Sequence, residues 1–183
     1  MSSGKFNNPD WHKSHISVWL RVVKPLLPKG PIQWLEIGSL EGRSALWTAE
    51  NLLKDGDSLI CVDRWGNKEA EANFDANTAG NSLIEKVKDR SSSFLARDIR
   101  EYDAIYIDGS HDAPDVITDA VLGWMRLKVG GLMIFDDYRW NQPSHLPGLL
   151  SPMVAIDSFI SCYETRISVL HKNTQVILRK RTN

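Results

Sequence analysis

The chain is poor in cysteine: among its 183 residues only Cys61 and Cys162 occur. Both sit inside apolar patterns and neither has metal-ligand spacing, so they read as reduced core thiols rather than as a disulfide framework or a zinc site. The chain also lacks an excess of either charge. Its 22 basic and 23 acidic side chains give a formal net charge of -1, which leaves no global basic field for a polyphosphate and disfavours nucleic acid as a substrate. No apolar run approaches the roughly 20 residues that a membrane span needs, so no membrane partner is expected. Met1 to Asn8 is polar and shows no charged stretch, apolar core and cleavage site in series, and a cytoplasmic location is the expectation. There is no internal repeat or low-complexity tract. Composition leaves a homo-oligomer open.

What is present is the balance of an ordinary globular protein, with 42% hydrophobic and 25% charged residues. The length suits one domain, with a helical segment over residues 1–30 and a core over 31–183. Short apolar runs alternate with longer segments of helical period, the pattern of a mostly parallel sheet covered by helices on both faces. The runs Ile32 to Ile37, Leu59 to Asp63, Ile84 to Lys88, Ala104 to Asp108 and Leu132 to Asp136 read as strands. Most are continuously apolar, as strands buried on both faces are.

Helices are expected over His15 to Leu27, Arg43 to Leu53, Asp112 to Lys128 and Met153 to Tyr163. Val116, Ile117, Ala120, Val121 and Trp124 give the third of these its stripe, and Gly130 with Gly131 is expected to end it. Glu69 to Asn81 is polar and poorly periodic, compatible with a partly helical lid or a plain connection. Arg166 to Leu170 and Gln175 to Leu178 read as a closing hairpin joined by His171 to Thr174, which brings the sheet to seven strands with an antiparallel end.

Function is written in the strand ends. Four parallel strands finish in or beside an acid, at Glu36, Asp63, Asp108 and Asp136, and ligands of open α/β sheets bind outside those carboxyl ends. With Asp137, these acids are expected to converge on one crevice. The first strand runs into Glu36-Ile37-Gly38-Ser39-Leu40-Glu41-Gly42 just before a helix, where glycines let backbone approach a ligand closely. This turn is not the G-x-G-x-x-G of dinucleotide enzymes. Asp63, about twenty residues further on, is placed to accept hydrogen bonds from both ribose hydroxyls. Asp108, Asp136 and Asp137 form a second group. Like charges about 4 Å apart repel by roughly 4 kcal/mol at an effective dielectric near 20, so three such carboxylates protonate or recruit a cation. An oxygen-only set suits Mg²⁺, with Mn²⁺ or Ca²⁺ as substitutes.

The acid-x-Gly-x-x-x-Gly turn, Asp63 and the closing hairpin resemble class I S-adenosylmethionine-dependent methyltransferases, enzymes with a Rossmann-like fold. Tyr102 to His111 (YDAIYIDGSH) and Gly130 to Tyr138 (GGLMIFDDY) resemble the small bacterial branch that includes macrocin-type sugar O-methyltransferases. The resemblance implies that Glu36, Gly38 and Gly42 line the methionine end of the cofactor, Asp63 the ribose, and the Ser91-Ser92-Ser93 turn the adenine. Arg90 stands near the place where that family carries glycine. Ser39, Arg64, Ser92 and Asp108 join the cofactor set, as does Trp65, which could pack beside adenine.

The spacing of Asp108, Asp136 and Asp137 is also similar to the metal ligands of catechol O-methyltransferase, except that the last ligand there is asparagine. In that enzyme the position three after the aspartate carries the lysine thought to act as base. Here that position is His111, expected to take the acceptor's proton beside Asp108. Tyr138, Arg139 and Trp140 are expected to border the acceptor pocket, and His12, His15, His145 and His171 to be surface or cap residues. The resulting expectation is a metal-assisted O-methyltransferase acting on a small hydroxylated molecule. Three alternatives stand beside it: a metal-independent methyltransferase, a nucleotide-cofactor oxidoreductase and a non-catalytic cofactor-binding module.

Overall fold

In the computed structural model, which describes residues 4–140 and 151–183, the apolar runs become β1 (Gln33–Ile37), β2 (Ser58–Asp63), β3 (Ile84–Lys88), β4 (Tyr102–Ile107) and β5 (Leu127–Phe135). The chain closes with β6 (Ile167–Lys172) and β7 (Val176–Lys180). Together they form one sheet in the order β3-β2-β1-β4-β5-β7-β6. β1 to β5 pair in parallel, while β7 runs antiparallel to both β5 and β6. This is the mostly parallel Rossmann-like sheet with a closing hairpin that the sequence pattern predicts. Strand order reverses between β1 and β4, so a crevice opens where their carboxyl ends diverge.

Strand alternation divides the core in two. Leu35, Ile37, Ile105, Ile107, Met133 and Phe135 face Phe94 of α4 (Ser91–Arg97), Val116 and Trp124 of α5 (Ala113–Arg126), and Phe159 of α6 (Pro152–Cys162). Trp34, Leu59, Ala104, Tyr106, Ile134 and Ile177 face the other way. They meet Trp19 and Val23 of the leading segment, Ala45 of α2 (Arg43–Asn51) and Phe74 of α3 (Lys68–Thr78). Burying one large apolar side chain is worth about 2–3 kcal/mol. The wholly buried Trp19 therefore anchors the leading segment to the sheet.

Several local expectations change. The single helix over His15 to Leu27 is instead a series of short turns: a 3-10 turn at His12–Ser14, α1 (Ile16–Val18), a π-helical stretch at Trp19–Val23 and a 3-10 turn at Lys24–Leu26. Pro25 removes a donor there, and Leu27 takes the extended backbone that the following Pro28 imposes. Gly130 and Gly131 do not end a helix. α5 stops at Arg126, β5 starts at the next residue, and both glycines lie within the strand. The register shifts between Tyr102 and Ala104 opposite them, and Gly130 has a φ of 88°, the signature of a strand irregularity. The polar stretch after Trp65 is a regular helix, α3, whose N-terminus the Asn67 side chain caps by accepting from Glu69 N–H at 2.9 Å. Cys61 is buried as expected, whereas Cys162 is exposed, and both are free thiols. Among the described residues no helix is long and apolar enough to cross a membrane.

Candidate active site

The turn after β1 is built by backbone conformation. Gly38 has φ 87°, and a Cβ there would lie 2.1 Å from the Asp108 carbonyl oxygen, so only glycine lets the turn approach the end of β4. Gly42, at φ 81°, occupies the N-cap of α2. Glu36 sits under this turn with no exposure and accepts from Ser44 Oγ at 3.0 Å. Burial pushes its carboxyl up to about 7. Asp63, ending β2, is fixed by two backbone donors, Leu40 N–H at 2.9 Å and Trp65 N–H at 2.7 Å.

Two cavities meet above these strand ends. The larger, about 720 Å³, is lined by Asp10, Trp11, Ser14 and His15 of the leading segment and by Asp108, Asp136, Asp137, Arg139 and Trp140 of the β4 and β5 ends. The smaller, about 410 Å³, runs from Asp63 and Arg64 past Arg90, Ser91 and Ser92 to Asp119. Gly38, Asp63, Gly109, His111 and Trp140 line both. The leading segment is tied over the crevice by Glu41, whose carboxylate accepts from the N–H groups of Asn7 and Asn8 at 3.0 and 3.2 Å.

Where the cavities meet, Asp108, His111 and Asp137 each offer a ligand atom within 4.8 Å of the others. His111 Nε2 lies 2.7 Å from Asp137 Oδ2, and this contact holds the imidazole above its usual pKa. Burial and the charges of Asp136 and Asp137 hold the Asp108 carboxyl well above the ordinary range. That combination is one a cation would relieve. Asp136 stands apart from the cluster. Its Oδ2 accepts from the Tyr106 hydroxyl at 2.5 Å and from Gln175 Nε2 at 3.0 Å. β5 has ended at Phe135, and Asp137 takes a left-handed backbone conformation, φ 54°, so the chain turns there and separates Asp137 from Asp136.

A family model described as a methyltransferase domain matches residues 35–138. The chain belongs to that methyltransferase family. Match and fold agree with the class I resemblance read from the Glu36 to Gly42 turn, Asp63 and the hairpin. An uncharacterized protein of Acanthamoeba polyphaga mimivirus is 29% identical over 133 residues, 66% of this chain and 59% of that protein, so the chain spans under two thirds of that relative's length. Among the solved structures that share the fold are two with the methyl donor or its product bound. The O-methyltransferase TomG of Streptomyces achromogenes, involved in tomaymycin synthesis and in complex with S-adenosylmethionine, has a TM-score of 0.66 and 14% identity over 97% of this chain and 82% of that one. MycE of the mycinamycin biosynthetic pathway, in complex with Mg and S-adenosylhomocysteine, has a TM-score of 0.65 and 19% identity over 97% of this chain and 51% of that one.

Of the expected set, Gly38, Asp63, Arg64, Ser92, Asp108 and His111 line the crevice. Ser39 is buried within the turn. Trp65 does not line either large cavity. It is 4% exposed, its Nε1 donates to the Leu40 carbonyl at 2.7 Å, and its ring packs on Phe74 at 4.8 Å, so it braces the turn from behind. Ser91 to Ser93 open α4 rather than forming a free turn. Arg139 and Trp140 border the larger cavity as expected, while Tyr138 is buried with its hydroxyl 3.1 Å from Asp157. His12 and His15 are buried, not surface residues. His145 and the acceptor-side loop from Asn141 to Leu150 lie outside the described residues. Sequence reasoning missed Tyr106, Gln175 and the Asp10 to His15 wall. Strand parity was the signal available for the first two, since Tyr106 and Ile177 share a face with Trp19.

Proposed function

We propose that the protein is a cytoplasmic S-adenosylmethionine-dependent O-methyltransferase that uses a divalent cation and acts on a small hydroxylated molecule. The observation that carries this reading is that two cavities, one bounded by the ribose-type acid Asp63 and the other by an acid and histidine cluster, share a wall at Gly38 and His111. The methyl donor occupies the smaller cavity, with Asp63 on its ribose hydroxyls, Ser91 and Ser92 toward the adenine and the Gly38 turn at the methionine end. The acceptor occupies the larger one, where Trp11 and Trp140 give it apolar walls.

The donor is already activated, so the chain supplies alignment and a proton acceptor. His111 takes the hydroxyl proton of the acceptor, the oxygen bonds to the methyl carbon, and the carbon–sulfur bond breaks to leave S-adenosylhomocysteine. The Asp108, His111 and Asp137 atoms fit a divalent cation in number and spacing, with Asp108 and Asp137 as carboxylate ligands. The carboxylate oxygens suit Mg²⁺ or Mn²⁺, and His111 stands beside them as the proton acceptor rather than as a ligand. Such a cation, when bound, lowers the pKa of a coordinated hydroxyl and fixes its position. The free thiols of Cys61 and Cys162 accord with a reducing compartment.

Calorimetric titration with S-adenosylhomocysteine tests the core of this reading. Binding by the wild type is expected, with Asp63→Ala weaker by about 1–3 kcal/mol, the scale of hydrogen bonds to a charged group. Equal affinity in both proteins would remove Asp63 from the ribose, and binding of NAD in its place would turn the reading to an oxidoreductase.

A further inference from the structure

Pleat and register gather three polar side chains into one row at the rim. Tyr106 pairs with Ile134, and Ile134 with Ile177. The residues two steps outward, Asp108, Asp136 and Gln175, therefore face the same side of the sheet. β7 runs the opposite way, so its outward step leads to the lower number. Gln175 is 1% exposed. Its Oε1 accepts from Trp19 Nε1 at 2.8 Å, and its Nε2 donates to Asp136 Oδ2 at 3.0 Å. An indole N–H only donates, so the carboxamide must meet Trp19 with its oxygen, and its amino group is thereby turned to Asp136.

The consequence falls on Tyr106. Its hydroxyl lies 2.5 Å from Asp136 Oδ2 and 3.0 Å from Asp108 Oδ2. A phenol has one proton to give, and the shorter contact receives it. Asp136 Oδ1 in turn accepts from the Asp137 N–H at 2.7 Å, so three donors, from β4, the residue just before β7 and the chain after β5, hold this carboxylate. We propose that Gln175, oriented by Trp19, is a positioning residue that fixes Asp136 as the acceptor of the Tyr106 proton and so leaves the Asp108 carboxylate free for the cluster with His111 and Asp137. The inference rests on the reading of Asp108 as a cation ligand given above. Loss of the amide donor frees the Asp136 carboxylate to turn away, so that the Tyr106 hydroxyl hydrogen-bonds to Asp108 instead, whose oxygen is then less available to the site.

Two variants test it. Gln175→Glu keeps the side-chain shape and the acceptor for Trp19 but removes the donor to Asp136. Trp19→Phe keeps most of the ring packing but releases the carboxamide to turn. Mn²⁺ affinity is read by electron paramagnetic resonance and S-adenosylhomocysteine affinity by calorimetry, with circular dichroism reporting the fold. Gln175→Glu is expected to weaken Mn²⁺ about tenfold or more, the scale of outer-shell ligand supports. Trp19→Phe is expected to have a smaller effect in the same direction, and both variants should keep S-adenosylhomocysteine affinity within about twofold. General loosening of the fold would weaken both ligands together and overturn the proposal, as would unchanged or tighter Mn²⁺ binding. If the wild type takes up no Mn²⁺, the cation reading falls by itself, and crystal structures of the two variants decide the inference. A Tyr106 hydroxyl moved onto Asp108 supports it, and an unmoved Tyr106 and Asp136 pair overturns it.

Discussion

The two halves of the crevice rim are built by different means. On the β1–β2 side, shape comes from backbone: Gly38 and Gly42 hold left-handed conformations, and two backbone N–H groups fix Asp63. All of these groups lie between residues 36 and 65. On the β4–β5 side, shape comes from side chains contributed by remote parts of the chain: Tyr106, Asp136, Gln175, Trp19 and His15, the last with Nε2 3.6 Å from Asp136 Oδ1. In the function proposed above, the first half would hold the cofactor with a local motif, and the second would shape the chemistry with a long-range network. A fold can thus keep one half constant while varying the other through substitutions far apart in sequence.

The sharpest way to break the local half is Gly38→Ala. A methyl group at φ 87° and 2.1 Å from the Asp108 carbonyl oxygen must displace the turn or the end of β4. Urea denaturation is expected to show a loss of about 3 kcal/mol or more, and calorimetry no S-adenosylhomocysteine binding.

Glu36, beneath the same turn, gives the next effect. Its folded pKa of about 7 lies above the ordinary 4.5, so between those pH values the folded chain keeps a proton that the unfolded chain releases. Its contribution to stability is full below about pH 4.5 and is lost as pH rises through 7. Glu36→Gln is expected to flatten the stability profile across that window by up to about 3 kcal/mol, measured by urea denaturation at pH 5 and pH 7.5. An unchanged slope would show that Glu36 titrates normally.

On the other half, His111→Ala is expected to lower kcat about 100-fold or more while S-adenosylhomocysteine affinity stays nearly intact. Transfer of an isotopically labelled methyl group to an acceptor turned over by the wild type is the measurement. Near-normal turnover would reduce His111 to a partner of Asp137. If the contrast between the halves is sound, Gly38→Ala removes binding and His111→Ala removes only rate.

The same contrast explains what was legible in the sequence. The Glu36 to Gly42 turn and Asp63 could be read because their spacing is local, and the strands could be read because their apolar runs are nearly unbroken. Edge strand β3 departs from that rule, with Lys86 and Lys88 turned to Glu71 of α3. α3 itself was obscured by weak periodicity, although Asn67 as a cap ahead of Glu69 marked its start. The leading segment defeated periodicity because π and 3-10 turns do not keep the 3.6-residue repeat. Asp136 and Asp137 look equivalent as neighbouring acids, and the left-handed turn at Asp137 beyond the end of β5 distinguishes them. Gln175 carries no motif at all, and its role depends on a partner 156 residues away.

The hairpin that delivers Gln175 sets a limit on length variation. β6 ends at Lys172 and β7 starts at Val176, a short connection at the rim itself. Gain or loss of one residue between Asn173 and Gln175 would move a different side chain into the place opposite Asp136, and slippage of β7 to compensate would turn Ile177 from one core to the other. This surface turn should therefore tolerate exchanges of residue type while resisting insertions and deletions, unlike most exposed loops.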